Sequence, residues 1–242
     1  MKTSIQDLLT HGPVVTDGAW GTQLQSRGLG PGECPELWNL AHPERVEAVA
    51  RAYVNAGSRV ILTNSFGGNR CVLARHGQVK KVREINRSAA EISKRAAGDR
   101  ALVFASIGPN GKLLMTGDVT EDQLREAFEE QAAALAEGGA DGLVIETMSD
   151  PLEAAIAVKA AVATGLPVVA CMVFDSGKDK DRTMMGTTVA QAATALVDAG
   201  AHAVGANCGQ GIAGFVNICR QFQAATALPI WIKANAGLPQ VV

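Results

Sequence analysis

Side chains able to do chemistry close six short apolar runs in this chain: Asp17, Asn64, Ser106, Glu146, Asp175 and the pair Asn207-Cys208. Two carboxylates facing each other across a mouth could act as the acid–base pair that glycoside hydrolysis needs. Cys208 follows a strand-terminal asparagine and precedes Gly209-Gln210-Gly211, where a helix start would lower a thiol pKa and favour a nucleophile or metal ligand. Each residue also has a plainer reading. Glu146 equally suits a salt bridge or a helix cap ahead of Asp150, and Asp17 before Gly18 suits a turn. A lone cysteine is more often buried packing than chemistry.

Local motifs add little. No Cys-x-x-Cys, His-x-x-x-His or His-Glu-x-x-His occurs, so no local metal motif exists. Cys171 lies mid-strand and Cys71 and Cys219 within helical patterns, which reads as packing; Cys34, before Pro35 in a long loop, stays open. His11, His42, His76 and His202 fall at turns or helix ends, as solvated histidines do. Gly67-Gly68 and Gly209-x-Gly211 lack the Lys-Ser/Thr companion of a phosphate loop and read as ordinary loop glycines.

The elements that position these residues alternate. Segments 13–17, 59–64, 102–108, 142–147, 167–175, 203–208 and 230–235 are near-continuously apolar, as parallel strands buried on both faces should be. Between them, 43–56 has Pro43 at its start and Gly57 past its end, and 121–137 follows a Thr120-x-x-Gln123 capping box. Asp150-Pro151 opens another helix, and Thr188-x-x-Gln191 opens one that stops at Gly200. AGSRVILTN, GGADGLVIE and AGAHAVGAN repeat one phrase, each placing a polar residue (Asn64, Glu146, Asn207) seven positions after a helix-ending glycine. A wheel of βα units produces such repetition and puts those residues at strand carboxyl ends, where barrels and open parallel sheets both place their sites. Periodicity alone leaves barrel and open doubly wound sheet undecided, although no G-x-G-x-x-G follows the first strand.

A single domain over 1–242 is expected, with 18–42 as a long functional loop. The net charge of −2 offers no basic footprint for nucleic acid or an anionic membrane surface. No apolar run reaches the roughly 18 residues of a membrane span. The segment MKTSIQDLLTHG lacks the apolar core of a secretory signal. Five widely spread cysteines suit reduced thiols, so a cytoplasmic location is expected.

Taken in order, DGAWGTQLQSRG (17–28), ILTNSFGGNR (61–70), SIGPNG (106–111), ET (146–147), TTVAQA (187–192), GANC (205–208) and IKANAGLP (232–239) resemble the barrel of homocysteine S-methyltransferases. DGAWGT and TNSFGGNR look most like the module of cobalamin-dependent methionine synthase and related corrinoid methyltransferases. The resemblance implies a (β/α)8 TIM-type barrel, with seven strands recognisable and the last βα unit missing. It implies zinc held by three thiolates, with Cys208 matching the first, activating the homocysteine thiol toward a methyl group from methylcobalamin or another donor. Glu146 and Asp17 match acidic positions for the substrate ammonium, the Gly18-Ala19 backbone matches the carboxylate site, and Asn64 and Ser106 occupy matching strand ends. The family's adjacent Cys-Cys pair is absent here, so the zinc site is expected to be incomplete in this chain. Implied partners are homocysteine or a similar small thiol, a corrinoid protein or domain, and an oligomer through an open barrel edge. Two alternatives stand beside this: a metal-free or non-catalytic module binding a small amino acid or methyl carrier, and a corrinoid methyltransferase using a different donor.

Overall fold

Apolar runs too short for helices, each followed by a capped amphipathic segment, produce a parallel sheet in the computed structural model, which describes residues 5–237. Six strands are hydrogen-bonded: β1 (Val60–Ile61), β2 (Leu102–Ile107), β3 (Gly142–Met148), β4 (Val168–Met172), β5 (Ala203–Gly211) and β6 (Ile230–Asn235). Helices α1 (Pro43–Asn55), α2 (Val82–Ala97), α3 (Glu121–Glu137), α4 (Pro151–Val162), α5 (Val189–Asp198) and α6 (Ile212–Ala225) alternate with them, each leading into the next strand. Both expected capping boxes form, at Thr120–Gln123 and Thr188–Gln191, and the Asp150 side chain accepts from Leu152 N at the start of α4.

Strand order decides between the two α/β architectures. A doubly wound sheet reverses its order at a switch point, whereas here every strand pairs in parallel with its sequence neighbour, β1 through β6. Such sequential winding is that of a barrel wall. The segment expected as a first strand, 13–17, makes one parallel bridge, Thr16 to Val60, flanked by Arg59 N to Val15 O and Asp17 N to Val60 O. It runs alongside β1 without forming a longer ladder. The expected strand at 59–64 is likewise shorter, because the chain turns after Ile61 into the polar loop that carries Asn64.

The two-residue period of the strands sorts the core into two faces. Leu143, Ile145, Val168, Ala170, Met172 and Val204 point outward into the helix layer. Val60, Leu62, Phe104, Val144, Val169 and Cys171 form a separate inner layer, where Phe104 and Trp231 stack at 6.3 Å. Burying Phe104 alone contributes on the order of 2–3 kcal/mol. Glycine is required at 205, where an added Cβ would lie 1.7 Å from the Trp231 carbonyl oxygen. Farther along β2, β3, β5 and β6, the same face presents Ser106, Glu146, Asn207 and Lys233.

Between β6 and the 13–17 segment lies an apolar cleft of about 1300 Å³, bordered by Val14, Val60, Phe104 and Trp231 and, toward the strand ends, by Asp17 and Lys233. Among the described residues, no helix is long and apolar enough to cross a membrane. Met1–Ser4 of the N-terminal segment and Leu238-Pro239 of the IKANAGLP stretch lie outside the described residues.

Candidate active site

Because Glu146, Asn207 and Lys233 share the inward face of three strands, their side chains converge at the carboxyl end of the sheet. Ser106 Oγ donates to Glu146 Oε1, and Asn207 Nδ2 donates to Glu146 Oε2 at 3.2 Å. Asn207 also accepts from Thr147 N at 2.7 Å and donates to Thr147 Oγ1 at 2.7 Å, and its amide lies 3.3 Å from Cys208 Sγ. Thr147 Oγ1 stands 3.7 Å from the same sulfur. The expected Ser106, Glu146 and Cys208 are thus joined through Asn207 and Thr147.

Backbone strain coincides with this cluster. Thr147 and Cys208 adopt φ of 63° and 58°, a region that L-residues rarely occupy and that a β-branched threonine avoids most strongly. The β3–β4 register shifts between Ile145 and Met148, and the β5–β6 register between Asn207 and Gly211. Both strands therefore bulge at the residues that carry the polar groups, a device that re-aims side chains at functional sites.

Asp17 joins the site through a residue that the sequence reading did not single out. Lys233 Nζ donates to Asp17 Oδ1 at 2.7 Å, while Trp20 Nε1 and Leu62 N both donate to Oδ2 at 2.7 Å. The Asp17 side chain is fully buried and Lys233 is 16% exposed. The available signal was a charged residue inside IWIKAN, an otherwise apolar strand. Next to Asp17, the Gly18-Ala19 backbone is fixed by Tyr53 of α1, whose hydroxyl donates to Ala19 O at 2.6 Å. A Cβ at Gly18 would lie 2.9 Å from that hydroxyl oxygen.

Electrostatics follow from burial. Desolvation pushes the Glu146 carboxyl above its usual range, opposed by the Lys233 charge and the Ser106 hydrogen bond. Burial works to lower the Lys233 pKa, but the Asp17 and Glu146 carboxylates outweigh it and hold the ammonium above its ordinary value. Cys208 was expected at a helix start with a lowered thiol pKa. Instead β5 runs on to Gly211 and α6 begins only at Ile212, so burial dominates and the thiol is raised despite the Thr147 hydrogen bond. Cys171, fully buried on β4 below, is raised well above its ordinary value by the same cause.

Asn64 and Asp175 stand apart. Asn64 Nδ2 donates to Pro35 O at 2.7 Å and to Asn39 Oδ1 at 2.9 Å, and Asn39 Nδ2 returns a bond to Asn64 O at 2.8 Å. Glu36 accepts from Gly67 N at 2.7 Å and from the Cys34 thiol, whose pKa burial pushes up to about 12. Asn64 thereby straps the long first loop to the β1 end. Asp175 accepts from Ser176 Oγ and lies on an exposed turn.

The family model described as homocysteine S-methyltransferase matches residues 14–241. The chain belongs to the homocysteine S-methyltransferase family. It is 30% identical to methionine synthase of Mycobacterium tuberculosis over 98% of its own length and 21% of that protein. It is 33% identical to betaine–homocysteine S-methyltransferase 1 of Sus scrofa, covering 86% of the chain and 75% of that enzyme. The chain thus spans about a fifth of the methionine synthases and three quarters of the betaine-dependent relative. Its fold matches that of the homocysteine methyltransferase MmuM from Escherichia coli in its metallated form, with a TM-score of 0.82, 21% identity, and coverage of 96% of this chain and 87% of that one. The sequential winding agrees with a domain of this family.

Proposed function

We propose that this domain transfers a methyl group to the thiol of homocysteine, forming methionine, with methylcobalamin on a partner domain or protein as one donor consistent with its relatives. The observation that carries the reading is the strained cluster of Glu146, Thr147, Asn207 and Cys208, built on two bulged strands in a chain of this family. In the reaction the substrate thiol gives up its proton to solvent and its sulfur forms a bond to the methyl carbon. The donor–methyl bond breaks with its electron pair remaining on the donor. Glu146, kept in place by Ser106 and Asn207, serves as the acceptor for the substrate ammonium, and the Gly18-Ala19 backbone faces the carboxylate. The Asp17 charge is already engaged by Lys233, so its part is to hold that lysine.

Zinc is the metal the family resemblance implies, and it would supply Lewis-acid activation of the thiol. A catalytic zinc generally needs three protein ligands. Among the described residues, no group of three or more His, Cys, Asp or Glu comes together in a metal-holding arrangement, so these residues alone do not fit the ion. Of the residues present, Cys208 alone matches a ligand of that ion in the family resemblance, and no step is derived through the metal. A cytoplasmic location suits the unpaired thiols.

Incubation with homocysteine and methylcobalamin, with and without added zinc, and with methionine followed by mass spectrometry, tests the proposal. Methionine formed above the protein-free rate and lost in Cys208→Ala is the expected result. Homocysteine binding that needs no zinc and survives Cys208→Ala, without methionine formation, would favour a metal-free binding module. Turnover with a different methyl donor but not methylcobalamin would favour a corrinoid methyltransferase of other donor class.

A further inference from the structure

Cys208 stands in a conformation that its own side chain disfavours. Its φ of 58° is followed by 73° at Gly209, so two successive left-handed residues lie in the bulge of β5. Such strain persists only where the surroundings over-determine it. Before Cys208, the Asn207 side chain is tied to Thr147 by two hydrogen bonds of 2.7 Å. After it, the anchor is Gln210, whose Nε2 donates to Phe174 O at 3.1 Å and to Lys180 O at 3.0 Å. Those carbonyls belong to the segment between β4 and α5, which folds back on itself through bridges from Arg182 to Ser176 and Thr188. Phe174 is fully buried against Phe222 of α6, with ring centroids 5.9 Å apart, so the first acceptor is fixed. The glycines on either side of Gln210 make room for this contact. A Cβ at Gly209 would lie 2.9 Å from Val173 Cγ2 and 3.2 Å from Phe174 O, and one at Gly214 would overlap Gln210 Oε1.

We infer that Gln210 is a positioning residue for the transfer site: by gripping the β4–α5 segment it locks Cys208 in its left-handed conformation and so fixes where the sulfur stands. Rotation about the N–Cα bond carries Cβ with it. Relaxation of Cys208 to an ordinary negative φ would therefore swing Sγ away from Asn207 Nδ2 and Thr147 Oγ1, which lie 3.3 and 3.7 Å from it. Glu146 would stay in place, because its partners Ser106 and Asn207 lie on β2 and ahead of the bulge. That Cys208 takes part in transfer rests on the thiol-acceptor reading above; that Gln210 holds its backbone does not.

Chemical denaturation of a double-mutant cycle, Gln210→Ala with Cys208→Gly, tests the lock. Cys208→Gly is expected to raise the folding equilibrium constant about fivefold in the wild-type background, where it relieves strain. With Gln210→Ala the gain is expected to fall below about twofold, because residue 208 has already relaxed. A Gln210 that merely stabilises the β4–α5 segment would leave the fivefold gain intact in both backgrounds, and that result would overturn the inference. No gain in the wild-type background would overturn it equally, since there would be no strain to lock. Gln210→Glu keeps the shape but turns acceptors toward two carbonyls, so it should behave as Gln210→Ala does. Gly214→Ala removes no hydrogen-bonding group and favours the helix, yet it should displace Gln210 and shrink the gain in the same way. In methionine formation from homocysteine, Gln210→Ala is expected to lower kcat roughly tenfold or more while KM changes by less than about threefold, since the sulfur moves and Glu146 does not. An unchanged kcat would contradict the positioning role. Absence of methionine formation by wild type would defeat the thiol-acceptor reading, and the denaturation cycle would still decide whether Gln210 holds Cys208.

Discussion

Two buried polar clusters sit at the carboxyl ends of neighbouring strands, and they differ in what they leave unused. At the β1 end, Asn64, Asn39, Glu36 and Asn86 bond mainly to backbone atoms of adjacent segments, including Pro35 O, Ile85 O, Gly67 N and Gly68 O. At the β3–β6 end, Glu146, Thr147, Asn207 and Cys208 bond chiefly to one another, on strained backbone, with the Lys233–Asp17 pair beside them. The first arrangement ties the long loop to the sheet. The second holds groups in an unfavourable geometry that packing alone does not require, as ligand-binding sites do. Composition cannot tell these clusters apart; the destinations of the hydrogen bonds can.

The largest expected effect is at the charge pair linking the 13–17 segment to β6. Asp17→Asn leaves Lys233 buried without its counter-charge and should cost about 3–5 kcal/mol, measured by chemical denaturation. Asp17→Asn/Lys233→Met should recover most of that loss. Since the folded Lys233 pKa lies above the unfolded value of about 10.4, its stabilisation is complete below that pH and is lost as pH rises through the folded pKa. Wild-type stability should therefore fall on the alkaline side, and the double variant should lack that component.

Asn64→Ala should follow, at about 2–3 kcal/mol, because it strips partners from Asn39 and from Pro35 O in a buried strap. Glu146→Gln should act in the opposite direction on stability. The raised carboxyl pKa means that the folded state resists ionisation, so a penalty absent below about pH 4 develops as pH rises through the folded pKa. Removing it should make Glu146→Gln at least as stable as wild type at neutral pH, and the difference should vanish in acid. The smallest effect is expected for Cys208→Gly, which relieves a left-handed φ and should gain about 1 kcal/mol while abolishing transfer.

Much of the scaffold was legible because its signals are local. The two capping boxes and the Asp150 cap needed only neighbouring residues and form as expected, whereas the seven-residue spacing from Gly57, Gly139 and Gly200 located three strands but not their ends: β1 stops at Ile61, and β3 and β5 run on to Met148 and Gly211. That spacing could not say that Asn64 turns toward loop 35–39 while Glu146 and Asn207 turn inward, since this depends on where β1 ends. The Lys233–Asp17 bond spans 216 positions and exists only once the wall has curled. The strain at Thr147 has no sequence signature, because a threonine gives no local reason to take a positive φ. Cys208 misses its expected helix start for a related reason: the bulged β5 carries the chain past the thiol before α6 begins.

Calorimetric titration of homocysteine into wild type, Glu146→Gln and Asn64→Ala, at a temperature where all three are folded, tests the contrast between the clusters most directly. Binding lost by roughly tenfold or more in Glu146→Gln and kept within about threefold in Asn64→Ala is the expected result. Equal loss in both variants, or full retention in Glu146→Gln, would contradict the assignment of the β3–β6 cluster as the site.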